Sequence, residues 1–223
     1  MTIIALSAKI TAPWFSEHIP YWTAQLNTQE KQRYALMKNQ RKRQQMLLSR
    51  ALIAQALTKF NCTLNTAYDI INYSTLVLLE TAQTFSISIS HSGTMAAIIL
   101  SDNSLRLGID IEKIKKRNFK ELATEICTKN ELALLHKRED IETDFYQLWT
   151  IKESLAKASQ TSLTRLYQCN CSAAIINNIG IIPWQGIDYQ FNYIEILGYK
   201  GTIITDETHL KPIEINDVRF HGT

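Results

Sequence analysis

The sequence predicts an α+β chain of two similar halves, each built from helices followed by a small antiparallel meander. Two long runs with helical period carry this reading, one from about Asn39 to Phe60 and one from Ile141 to Ala158. After each come short β-rich runs separated by polar turns. The boundary falls near Asn103–Arg106, where no Pro/Gly-rich linker intervenes, so residues 1–105 form an N-terminal subdomain and residues 106–223 a C-terminal one, packed tightly together.

The elements follow in order. Residues 2–10 read as a strand, and two or three helices come next, with Ser16 and Thr28 as expected N-caps. The longest of these helices sets Met46, Leu47, Ile53, Ala54 and Leu57 on its inner side. Strands are expected over Ile70–Tyr73, Leu76–Leu79, Phe85–Ser90 and Met95–Leu100. Ser101-Asp102-Asn103-Ser104 is a polar turn before a strand at Leu107–Glu112. The second half opens with a helix over Phe119–Ile126. Another starts at Thr128-Lys129-Asn130-Glu131, a capping box in which threonine and glutamate satisfy each other's backbone donors. The helix Ile141–Ala158 follows, then strands near Tyr167–Ser172, Tyr189–Ile196 and Lys200–Thr205.

Bulk composition narrows the class. With 223 residues, 45% hydrophobic and 20% charged, the chain is an ordinary globular one rather than a disordered one. A net charge of +3 does not call for nucleic acid. Between Glu30 and Lys59, however, Lys31, Arg33, Lys38, Arg41, Lys42, Arg43 and Arg50 face Glu30 as the only acid. That stretch is either a solvated helix face or a surface for an anionic ligand or acidic partner. The four cysteines, Cys62, Cys127, Cys169 and Cys171, lack zinc-site spacing and form no disulfide framework; Cys169 and Cys171 have strand spacing and are expected on one face. The N-terminus lacks a signal-peptide n-region and no apolar run reaches membrane-spanning length, so a reduced, cytoplasmic, membrane-free protein is expected.

The chemistry concentrates in two segments. In Gly108-Ile109-Asp110-Ile111-Glu112, strand alternation puts Asp110 and Glu112 on one face, where two carboxylates repel unless a cation or base lies between them. In Trp149-Thr150-Ile151-Lys152-Glu153-Ser154-Leu155-Ala156-Lys157, helical spacing puts Lys152 inside an apolar arc made by Phe145, Leu148, Trp149, Ile151, Leu155 and Ala156. Glu153 and Lys157 lie at its edge, where an ordinary i,i+4 ion pair would account for them. That pair leaves Lys152 unexplained: a lysine on an apolar face must snorkel or meet a buried anion, and a bound phosphate would serve. Ser88 and Ser90 share a strand face, and His91 emerges at its tip with no triad context, as a hydrogen-bond donor to phosphate rather than a general base.

Ser90-His91-Ser92-Gly93, the Gly108–Glu112 strand and the Trp149–Lys157 helix, in that order and spacing, resemble the three signature segments of Sfp-type 4′-phosphopantetheinyl transferases. The likeness covers about residues 28–160. It implies two similar α/β subdomains related by a pseudo-twofold, with coenzyme A and Mg²⁺ (Mn²⁺ as an alternative) in the cleft between them. It implies Asp110, Glu112 and Glu153 as metal ligands, oxygen donors suited to a hard cation. Lys152 and Lys157 would face the pyrophosphate, Ser90 and His91 the adenosine-phosphate end, and Lys31, Arg43 and Arg50 the 3′-phosphate. The chain departs from the family pattern at Tyr73–Glu80, where a Gly-Lys-Pro-like segment is absent, at Ser159-Gln160-Thr161, and at Tyr34.

The implied reaction moves the phosphopantetheine arm of coenzyme A to a serine of an apo acyl or peptidyl carrier protein, with Glu153 as base and Lys157 and Lys152 stabilising the leaving phosphate. The two-halves-in-one-chain reading favours a monomer. Two rivals stand beside it: a metal-dependent phosphodiesterase or nuclease using the same acids, and a non-catalytic module that binds coenzyme A or a carrier.

Overall fold

A computed structural model describes residues 1–10, 12–176, 179–208 and 211–218. The chain divides into two compact units, Met1–Asn103 with Ile215–Thr223, and Ser104–Glu214. Each is a long helix laid on a largely antiparallel sheet, the α+β architecture expected of both halves. Among the described residues no helix is long and apolar enough to cross a membrane.

The first unit holds β1 (Ile3–Lys9), α1 (Ala12–Ala24), α2 (Thr28–Leu36), α3 (Gln40–Thr58), β2 (Tyr68–Ile71), β3 (Thr75–Leu78), β4 (Thr84–Ser92) and β5 (Met95–Ser101). Its sheet has the order β10-β1-β5-β4-β3-β2, where β10 is Ile215–Asp217 from the far end of the chain. Strands β1 to β5 pair antiparallel, and β10 lies parallel to β1 with Leu6 opposite Asn216. The C-terminal segment therefore returns to the first unit instead of staying with the second. Three residues without alternation gave no sequence signal for it. Leu47, Leu48, Leu52 and Leu57 of α3 pack against Leu6, Ile87, Ile98 and Leu100 of the sheet, each buried side chain contributing about 1.5–3 kcal/mol.

Two caps differ from expectation. Helix α2 starts one residue early: Asn27 is its N-cap and forms the capping box with Glu30, because its amide oxygen reaches the Glu30 N–H at 2.9 Å. Helix α1 already runs from Ala12, so Ser16 lies within it, and its side chain is outside the described ones.

The second unit holds β6 (Leu107–Lys113), α4 (Phe119–Ile126), α5 (Lys129–Leu135), α6 (Ile141–Ser159), α7 (Leu163–Leu166), α8 (Ala173–Ile176), β7 (Ile179–Trp184), β8 (Ile187–Ile196) and β9 (Tyr199–Thr205). The sheet order is β6-β9-β8-β7, antiparallel throughout. Leu148, Ile151 and Leu155 of α6 enter a core with Phe119, Phe191 and Ile204. The strand expected at Tyr167–Ser172 is instead the end of α7 and a turn, because Tyr167, Gln168 and Cys169 donate their N–H groups back to Leu163, Arg165 and Leu166. Cys169 and Cys171 are nonetheless both buried, with their sulfurs 3.9 Å apart. Strand β7 escaped the sequence reading because Pro183 interrupts it; as an edge strand it tolerates a residue with no N–H to donate.

One close approach sets the position of α6. A Cβ built on Gly108 would stand 1.9 Å from the Ser154 carbonyl oxygen, so β6 and α6 touch backbone to backbone. Thr150 and Ser154 stitch the same helix to β9: their hydroxyls meet Thr202 Oγ1 at 2.7 Å and Thr202 O at 2.9 Å. Gly108→Ala must push the helix off the strand. We expect it to lower unfolding free energy in a denaturant titration by about 3 kcal/mol, the upper end of overpacking costs. A loss under about 1 kcal/mol would mean that the two elements part easily.

Candidate active site

Three carboxylates and a lysine come from the two elements that meet at Gly108. Strand β6 directs Gly108, Asp110 and Glu112 to the face that α6 covers, while Ile109 and Ile111 are buried on the other. Asp110 is 5% exposed, and its Oδ1 accepts a hydrogen bond from Lys157 Nζ at 2.9 Å. The same ammonium donates to the Ile109 carbonyl at 2.8 Å. Glu112 Oε1 accepts from the indole N–H of Trp149 at 3.4 Å. Beyond β6, the Tyr146 hydroxyl accepts from Lys115 N and so pins the chain where it leaves the strand.

Glu153 stands within electrostatic reach of these groups. Burial raises its pKa first, the Asp110 carboxylate next, and Glu112 adds to both, while the Lys157 ammonium pulls the other way. Mutual repulsion among three carboxylates is the condition that a divalent cation relieves, and all three donors are oxygens, as Mg²⁺ or Mn²⁺ prefers. In donor type and charge the residues fit such an ion. Their geometry is less advanced: among the described residues no group of three or more His, Cys, Asp or Glu side chains is disposed to hold a metal. Asp110 is engaged by Lys157 instead.

Lys152 requires a correction. It was expected against a ligand phosphate, but it has no exposure, and its ammonium lies 3.1 Å from Glu131 Oε2, 2.7 Å from Cys169 O and 3.2 Å from Leu166 O. The buried anion that its position demanded is a carboxylate of the same unit. Glu131, equally buried, also accepts from Thr128 N at 2.6 Å and Cys171 N at 2.7 Å. The pair thus ties the start of α5 and the turn after α7 to α6, one residue before Glu153. The sequence signal was present in the Thr128–Glu131 capping box, but nothing local links that box to a lysine on another helix.

The candidates on the first unit fare unevenly. Ser90 is buried on β4, and His91 beside it is exposed, its Nε2 sharing a 2.6 Å hydrogen bond with Ser49 Oγ of α3. Ser49 also donates to Gln45 O at 3.0 Å, so α3 orients the imidazole, a role the sequence did not reveal. Gly93 takes a positive φ of 57° in the two-residue turn that follows. Arg50, expected at a ligand phosphate, is buried in an ion pair with Glu30, its guanidinium 4.2 Å over the Tyr68 ring. That pairing assigns it to the interior. Arg43 donates to Ala35 O at 3.1 Å and lies over Tyr34, while Lys31 is exposed on α2.

Two outcomes follow from these environments. Lys152→Met strands the buried Glu131 charge and should cost about 3–5 kcal/mol in a denaturant titration, whereas Lys152→Met with Glu131→Gln should recover much of the loss. Glu153→Gln removes a carboxylate whose folded-state pKa is raised. The folded protein binds that proton more tightly than the unfolded chain, so ionised Glu153 costs stability above its folded pKa. In metal-free buffer the variant should melt above wild type at neutral pH. The gap should close in acid below the ordinary carboxylate pKa, where Glu153 is protonated in both states.

Comparison with known proteins places this same segment. Residues 106–194 match the family model of the 4′-phosphopantetheinyl transferase superfamily. A putative 4′-phosphopantetheinyl transferase of Haemophilus influenzae is 35% identical over 82 residues, 35% of each chain. The 4′-phosphopantetheinyl transferase Sfp of Bacillus subtilis is 42% identical over 79 residues, 34% of each chain. The matched stretch therefore spans 35% and 34% of these relatives' own lengths, and together the matches select no subtype within the superfamily. The match to the 4′-phosphopantetheinyl transferase superfamily thus lies in the segment that carries the acidic strand and the long helix.

Proposed function

We propose that the protein transfers the 4′-phosphopantetheine arm of coenzyme A to a serine hydroxyl of an apo acyl or peptidyl carrier protein, releasing adenosine 3′,5′-bisphosphate. The observation that carries this reading is the meeting of Asp110, Glu112, Glu153 and Lys157 at the β6–α6 contact, inside the segment that matches the superfamily.

In this reading Asp110, Glu112 and Glu153 hold a Mg²⁺ or Mn²⁺ ion. When bound, such an ion neutralises charge on the pyrophosphate. Glu153 is the base for the serine hydroxyl, directly or through a water. Lys157, with a side chain 30% exposed, is the cation able to reach a phosphate, and Lys152 serves by holding α6 rather than by touching the ligand. His91, oriented by Ser49, and exposed Lys31 are the first-unit groups suited to ligand phosphates, joined by Arg43. Ser90 supports that strand tip from within. Basic residues between Lys31 and Lys59 suit docking of an acidic carrier surface.

Incubation with coenzyme A, MgCl₂ and a panel of apo carrier proteins, read by intact mass, tests the proposal. One carrier should gain the mass of a single phosphopantetheine arm, and EDTA should abolish the gain. Asp110→Ala and Glu153→Ala should each lower the rate by at least about 10²-fold, the usual scale for a lost acid–base group, while still folding. Wild-type rates in either variant would refute the site assignment. Failure to bind coenzyme A would turn attention to phosphodiester hydrolysis.

A further inference from the structure

Lys157 is placed as a counter-ion inside the acidic site rather than beside it. Its ammonium donates to two groups of β6, Ile109 O at 2.8 Å and Asp110 Oδ1 at 2.9 Å. It also offsets the charge that Asp110 and Glu112 impose on Glu153. A carboxylate as buried as Asp110 needs a compensating positive charge. Here that charge comes from a flexible side chain on the helix that also carries Glu153, and the chain is only partly buried, with room to leave.

We propose that Lys157 is a built-in cation that exchanges with the divalent ion. Its ammonium neutralises Asp110 while the carboxylates are metal-free. Entry of the ion onto Asp110, Glu112 and Glu153 displaces it and frees it for a phosphate of the ligand. This rests on the metal reading given above and goes beyond it in one respect: the ion and the lysine charge compete for one set of oxygens. Two cations cannot share the oxygens of so small a site without mutual repulsion. The ion's affinity is then set partly by the cost of releasing the lysine. By linkage, an anionic ligand that takes up the released ammonium tightens ion binding, and the ion tightens binding of that ligand by the same factor.

The test uses the full chain and Mn²⁺ alone, with free ion followed by electron paramagnetic resonance. Lys157→Met should bind Mn²⁺ about tenfold more tightly than wild type, within the usual span of coupling between sites. Lys157→Arg, which keeps the charge, should stay within about twofold of wild type on the same scale. Thermal midpoints supply a second reading: Lys157→Met should melt lower than wild type without metal, and Mn²⁺ should raise its midpoint more than the wild type's. A purely structural lysine would lower the midpoint and leave affinity unchanged. If the methionine variant does not fold, Lys157→Gln keeps a hydrogen-bonding group without the charge and should show the same gain. Equal or weaker Mn²⁺ binding in the uncharged variants overturns the exchange, even if wild type binds Mn²⁺ and Asp110→Ala does not. No Mn²⁺ binding by wild type or by any Lys157 variant overturns the metal reading itself.

Discussion

The backbone contact between Gly108 and Ser154 is the constraint on which the second unit's chemistry depends. A strand and a helix normally keep the distance that their side chains impose. Here a missing Cβ lets the Ser154 carbonyl approach the strand directly. Once β6 and α6 touch at that point, strand alternation and helical spacing leave little freedom. Asp110 meets Lys157, Glu112 meets Trp149, and Glu153 feels both carboxylates. The hydroxyls of Thr150 and Ser154, bonded to Thr202, hold the helix against sliding along the sheet.

Around that contact lies a buried polar framework. Glu131 and Lys152 are both fully buried, which is costly unless every charge-bearing atom finds a partner. Their partners are backbone groups at the start of α5 and in the turn after α7, so one pair fixes three pieces of chain. Arg50 and Glu30 do comparable work in the first unit, joining α3 to α2. In both units a basic residue with the look of a phosphate ligand turns out to brace a helix. Cationic residues in a sequence thus divide into two kinds: those buried with a carboxylate of the same unit, such as Lys152 and Arg50, and those that retain access to solvent, such as Lys31 and, even while paired with Asp110, Lys157.

Much of the fold was legible in the sequence because its elements are locally determined. Helices α4 and α6 have apolar periodicity, α5 announces itself by a capping box, and α3 is a long run without proline or glycine whose second half is buried nearly all round. The hairpins of β4 with β5 and β8 with β9 follow from β-rich runs around short turns that carry Gly93 and Gly198 at positive φ. The failures share a cause. Strand β10 is three residues long and is held only by a partner at the other end of the chain, and β7 carries a proline that an edge position alone excuses. At Tyr167–Ser172 the apolar alternation was real, but backbone bonding to α7 made it a turn.

For the site, the sequence by itself determined which acids share a face, which helix carries Glu153 and Lys157, and that Lys152 must meet a buried anion. These are consequences of fixed periods, 2 along a strand and 3.6 along a helix. Only the tertiary structure decided which anion Lys152 meets, that Arg50 is already paired with Glu30, that Ser49 orients His91, and that Lys157 reaches back to Asp110. Each of those contacts joins residues far apart in the chain. Their partners are chosen by packing and by the need to compensate buried charge, quantities that no local window of sequence contains.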